Sequence, residues 1–134
     1  MIKDNDREIL IQYRLNQAGQ TINEVSKLIE VGLLNVAVNR IYYGIFYSLT
    51  ALALKYEYKS SKHFQLMGWF NQNFIKTGYI DVKYGKILRD AFKNRSDGDY
   101  APFIIFEKED VLDLLSDMID FIERIKSFLA NLKD

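Results

Sequence analysis

The sequence predicts an all-α domain, a bundle of four or five helices, and three observations lead there. Apolar residues recur at steps of three and four through most of the chain, the spacing that lines one face of a helix. The interruptions of that period fall at glycine, at serine pairs and at Pro102, the one proline. At 134 residues with 49% apolar side chains, the chain can bury about two thirds of its unfolded surface, which suits one domain over 1–134.

Ile11, Leu15, Ala18, Ile22, Val25 and Ile29 place a first helix at about 6–31, with Gly32 as its stop because glycine accepts the left-handed backbone there. A second helix is expected over 34–56. Ala37, Gly44 and Ser48 with Ala51 make a narrow stripe that would let another helix approach closely, while Ile45, Leu49 and Leu52 widen the apolar surface. Nearly uncharged and apolar on two sides, this helix should be central. Ser60 and Ser61 can start a third helix over 61–77, containing His63, Phe64, Met67, Phe70 and Phe74, and Thr77-Gly78 ends it. Asp81 can cap a fourth over 82–94, with Tyr84, Leu88, Ala91 and Phe92 inward. Gly98 and Pro102 then predict a loop over 95–106, since Ala101 precedes proline. The last helix, 108–132, carries Val111, Leu115, Met118, Ile122, Ile125, Leu129 and Leu132 in an unbroken stripe. That stripe can pack within the chain or against a second copy.

Charge is balanced at 18 basic and 18 acidic residues, but it is not evenly spread. Residues 55–95 hold nine basic and three acidic groups, and residues 96–134 hold four and ten. The two segments can neutralise each other inside the bundle, or the basic one can steer an anionic partner. A uniformly basic nucleic-acid coat is excluded. The chain has no cysteine, which removes disulfides and thiolate chemistry, and His63 as the only histidine removes a multi-histidine zinc site. Asp97 and Asp99 are read as turn or cap residues rather than metal ligands, so no metal or cofactor is expected. Neither a signal peptide at the first residues nor a membrane span at Ile41 to Leu54 is indicated, and a cytoplasmic protein is the expectation.

Hydrolase elbows, phosphate loops and dinucleotide loops are absent. The more specific signal lies in three segments: VAVNRIYYGIFYSLTALAL at 36–54, SSKHFQLMGWFNQNFIKTGYID at 60–81 and RDAFKNRSDGDY at 89–100. Together they resemble the HEPN family, and within it the small proteins associated with toxin–antitoxin systems. The resemblance runs from about Arg14 to Phe128. It implies a compact helical bundle, often a homodimer, with polar residues of two chains facing a shared cleft. It also implies an association with RNA and with a small nucleotidyltransferase-like antitoxin, since many members are metal-independent ribonucleases.

The family's nuclease motif is an arginine, a polar residue, and a histidine about five positions after the arginine. Arg95 and Ser96 match its start, but Tyr100 stands where the histidine is expected. Histidine suits proton transfer because it titrates near neutrality, whereas a tyrosine starts near pKa 10. Arg95 can still hold a phosphate by paired charge-assisted hydrogen bonds, or cap the fourth helix. Tyr100 can stack on a base or pack beneath the loop. Asn39 and Arg40 need partners on an apolar helix, either a buried network or a ligand cleft, and Tyr43 and Tyr47 lie near the same face. His63 reads as a capping or packing residue, and Trp69 and Phe70 as core or interface. Two functions follow from the resemblance. One is a toxin–antitoxin module acting through a protein partner, with RNA bound by Asn39, Arg40, Tyr43, Tyr47, Arg95, Ser96 and Tyr100. The other is a metal-independent endoribonuclease with Arg95 at the phosphate and Tyr100 in the histidine's place.

Overall fold

The computed structural model describes residues 3–60, 62–100 and 104–132, and the side chains of 97–100 lie outside that description. Five α-helices account for most of it: α1 Asp4–Glu30, α2 Leu34–Lys55, α3 His63–Phe70, α4 Val82–Tyr100 and α5 Lys108–Ala130. A π-helical stretch, Asn71–Ile75, continues α3. No strand occurs among the described residues, and the all-α bundle is the one expected. None of the described helices is long and apolar enough to cross a membrane.

α1 and α2 form a hairpin packed along its length, α5 lies against both, and α4 packs on α2 and α5. The hairpin turns at Gly32, whose φ is +84°. The Leu33 N–H donates to the Leu28 carbonyl at 2.9 Å, and the Gly32 N–H to that of Ile29 at 3.0 Å. This pair of reversed bonds satisfies carbonyls that the helix end would otherwise orphan.

α2 is central, with Ala37, Val38, Ile41, Tyr42, Gly44, Ile45, Ser48 and Leu49 all buried. Its small-residue stripe does what its spacing predicts. A methyl group on Gly44 would run into Met118 Cε of α5 and lie 3.2 Å from Thr21 Cγ2 of α1. The buried hydroxyls on these close faces cost little, because each bonds its own helix: Thr21 to the Gln17 carbonyl at 2.8 Å and Ser48 to that of Ile45 at 2.7 Å. Val111, Met118, Ile122 and Ile125 of the α5 stripe are buried inside this chain. Much of that stripe therefore packs within the chain, while Leu115, Leu129 and Leu132 are half-buried.

Two boundaries depart from expectation. α4 runs to Tyr100, so residues 95–100 are helical rather than the start of a loop. The proline restricts only Ala101, and a single glycine costs a helix about 1 kcal/mol, which the packing of Tyr84, Leu88 and Ala91 offsets. Ala101, Pro102 and Phe103 of the expected loop lie outside the described residues. The third helix begins at His63 rather than 61 and changes to the wider π geometry at Asn71, where the Lys76 N–H reaches back to the Asn71 carbonyl at 2.9 Å. The cap expected at Asp81 is present, with its Oδ1 accepting from the Lys83 N–H at 2.9 Å. Of the charge split, one bond across the two segments is plain: Lys83 Nζ lies 3.2 Å from Asp120 Oδ2, whose other oxygen accepts from the Tyr84 hydroxyl at 2.8 Å.

Candidate functional site

α2 turns a second, polar face toward α3 and α4, and the side chains that carry chemistry meet there. Arg95 projects from α4 onto this face. Its guanidinium carbon sits 5.7 Å from the Tyr42 ring centre and 5.6 Å from that of Tyr43, and Nη2 donates to the Tyr43 hydroxyl at 3.3 Å. Arg40 reaches the same Tyr43 ring from one turn earlier on α2, at 5.9 Å. Two cations on one aromatic ring are each attracted to it, and their charges add to a positive potential at this spot. Arg40 Nη2 lies 3.5 Å from Glu24 Oε1 of α1. Its buried Nε has no hydrogen-bond partner among the described residues. Arg95 is therefore not a terminal cap: its helix continues past it, and its head group lies on the tyrosines of α2.

His63 also belongs to this cluster. The first residue of α3, it lies against the Phe46 ring at 4.2 Å and the Tyr42 ring at 5.5 Å, with Nδ1 2.6 Å from the Tyr42 hydroxyl. Burial, and then the Arg95 charge, hold the imidazole below its ordinary pKa. Burial also pushes the Tyr42 phenol well up, against the opposing pull of Arg95. Each shift favours the neutral form. We assign the Tyr42 O–H as donor and Nδ1 as acceptor, since Tyr42 is fully buried and its proton needs an acceptor. The remaining proton is then on Nε2. So the chain's one ordinary acid–base group has its basic nitrogen occupied by tyrosine.

The remaining candidates fall around this centre. Tyr47 stands one turn beyond Tyr43, with ring centres 6.4 Å apart. Asn39 and Ser96 are half-buried and adjoin Arg40 and Arg95 along their helices. Tyr100 is five residues beyond Arg95 on α4, about 140° round the axis, and its side chain lies outside the described residues. Among the described residues no group of three or more histidine, aspartate or glutamate side chains could hold a metal ion. Sequence reasoning named Arg40, Tyr43 and Arg95 but missed Tyr42 and set His63 apart. A tyrosine on the apolar side of α2 needs a buried partner for its hydroxyl, and that need was the available signal.

The arginine at the start of the motif thus sits against the central tyrosine pair, and the match of known proteins covers the same segments. The HEPN domain model matches residues 11–128. This chain belongs to the HEPN family. A UPF0332 protein of Thermotoga maritima is 34% identical over 96% of this chain and 98% of its own length. Two proteins of Methanocaldococcus jannaschii, each named as a candidate toxin, are both 30% identical. One alignment covers 87% of this chain and 80% of the relative, the other 91% and 90%. The HEPN match spans all three segments on which the resemblance rested.

Proposed function

We propose that this HEPN chain is the toxin-side member of a toxin–antitoxin pair, acting with a protein partner, and that its Arg95 cluster holds an RNA phosphate. The observation that carries this reading is the placement of two guanidinium groups, Arg40 and Arg95, on the single ring of Tyr43. A phosphate at this spot meets two groups of guanidinium N–H donors, whose charge it offsets. The candidate-toxin names of the two archaeal relatives support the wider role. The family resemblance adds a nucleotidyltransferase-like antitoxin as the partner and a homodimer as the assembly, in which a second copy would complete the cleft.

Binding is favoured over cleavage by the state of His63. Metal-independent cleavage needs a base for the ribose hydroxyl and an acid for the leaving oxygen. His63 accepts from Tyr42 at the nitrogen that would serve as base, and the motif histidine is replaced by Tyr100. The nuclease remains the second reading because the only histidine does lie beside Arg95.

One titration tests both. Labelled single-stranded and structured RNA is added to wild type and Arg95→Ala, with products examined in EDTA. RNA affinity should fall about tenfold in the variant, the scale of one charge-assisted contact, with the fold intact. Equal affinity in a folded Arg95→Ala protein would refute the phosphate site. Cleavage by the wild type in EDTA would establish the second reading, and Tyr100→His would then be expected to raise the rate. Light scattering at about twice 15.7 kDa is the result expected of the dimer, and 15.7 kDa at all concentrations would refute it.

A further inference from the structure

At the far end of α2 the surface changes from arginine and tyrosine to an aromatic groove. Tyr56 caps the end of α2, and the chain reverses through Glu57, whose φ is +56°. The Tyr58 N–H returns to the Ala53 carbonyl at 2.9 Å, which brings both flanking tyrosines to Trp69. Tyr58 stacks on Trp69 at 4.8 Å, and Tyr56 meets it edge-on at 6.3 Å. The π-helical stretch supplies Asn73 and Phe74. The result is a cavity of about 600 Å³ lined by Tyr56, Trp69, Asn73, Phe74, Tyr79 and Phe128, with Leu132 at its edge. Its size is that of a small-molecule or single-residue site.

The chemistry of the lining narrows the occupant. Tyr56 and Tyr79 are exposed and offer ring surface and hydroxyls, whereas Phe74 is buried and Trp69 already carries Tyr58 on one face. Among the described residues no carboxylate lines the groove. Arg124 stands at its rim, with Nη2 donating to the Tyr79 carbonyl at 3.3 Å and the guanidinium 5.7 Å from the Phe128 ring. Lys55 lies close enough for its charge to act on Tyr56. Cations at the rim disfavour a cationic ligand and favour an anionic one. The hollow between α2, α4 and α5 differs, since Asp90 and Asp117 line it together with Lys93.

We propose that this groove is a nucleobase subsite, taking one unpaired base of a single-stranded RNA against its rings with the adjoining phosphate at Arg124. Stacking on aromatic faces is the sequence-tolerant way proteins hold single strands, and a rim cation holds the backbone. The groove lies about 20 Å along α2 from Tyr43, at 1.5 Å per residue. As an RNA site it rests on the reading above, but its ligand chemistry is separately testable.

Trp69 is the only tryptophan, so its fluorescence reports this groove alone. The full chain is titrated with adenosine monophosphate and with a short oligoadenylate, and in parallel with ribose phosphate and tetramethylammonium. Both adenylates should quench Trp69 saturably while the other two do not. Tyr79→Ala, which removes an exposed ring, should weaken both adenylates about tenfold. Arg124→Met should lower the slope of log affinity against log salt for the oligoadenylate by about 0.7. Equal quenching by ribose phosphate, or quenching by tetramethylammonium alone, would overturn the proposal. So would no quenching by either adenylate, which would hand the groove to an apolar partner side chain. If Arg95→Ala leaves RNA affinity intact while Tyr79→Ala lowers it, the groove stands and the phosphate site falls.

Discussion

The two faces of α2 solve opposite problems with neighbouring residues. On one, Ala37, Gly44, Ser48 and Ala51 are nearly without side chain, and α1 and α5 close onto the backbone. On the other, Arg40, Tyr42, Tyr43 and Tyr47 are large and polar, and α3 and α4 are held off by rings. The first face gains from exclusion of everything, water included. The second keeps cations near the interior by laying them on aromatic surfaces, and ties a buried phenol to an imidazole. The lesson is a division of labour within a single helix: tight packing on one side anchors the tyrosines and Arg40 on the other.

The largest effect should come from breaking the packed face. Gly44→Val puts branched carbon into space held by the Met118 terminal methyl and Thr21, and overpacking of this kind costs about 2 kcal/mol. A melting temperature lower by several degrees is expected for a chain of this size. The same substitution in a Met118→Ala background should cost at least about 1 kcal/mol less, because the clash is then relieved. Strict additivity in thermal melts would show that Met118 is not what Gly44 accommodates.

This face was legible in the sequence, and the other was only half so. A run of small residues at helical spacing has one simple use, so Ala37, Gly44 and Ala51 announced a close approach. The stripes of α1 and α5 likewise declared their inner sides. Arg40, Tyr43 and Arg95 were found through a family pattern, and their meeting was not visible from periodicity. His63 and Arg95 are 32 positions apart in sequence. Only the way α3 and α4 cross α2 brings them together, and that crossing depends on tertiary packing that no local signal encodes. The extension of α4 was missed because glycine and proline were weighed as breakers of the whole segment. The π-helical turn at Asn71 leaves no trace in composition, because Phe70 and Phe74 keep ordinary helical spacing.

On the polar face the sharpest test is the single histidine. Its imidazole should titrate below pH 6.5, the ordinary value, because burial and Arg95 both disfavour the proton. The linkage has a definite sign. With the folded value depressed, the unfolded chain takes up the proton first as pH falls. The stability tied to neutral His63 is thus complete above pH 6.5 and is lost as pH drops toward and through the folded value. In Arg95→Met the midpoint should move up but stay below 6.5, since burial is the larger cause. Proton NMR reads this without ambiguity from one ring. A wild-type midpoint at or above 6.5 would mean that burial and the Arg95 charge do not act on His63 as the geometry requires.

The smallest expected effect separates stability from binding on that same face. Glu24 is about half exposed, and its 3.5 Å approach to Arg40 is a surface pair, worth no more than about 0.5 kcal/mol. Glu24→Gln should therefore leave the melting temperature nearly unchanged. On the proposed reading it also removes a carboxylate that competes with phosphate for Arg40, so RNA affinity should rise about twofold, the counterpart of a pair this weak. The direction matters more than the size. A stabilising role for Arg40 predicts a lower melting temperature and no gain in affinity. A ligand role predicts the reverse, because Glu24 is then a placeholder that RNA displaces.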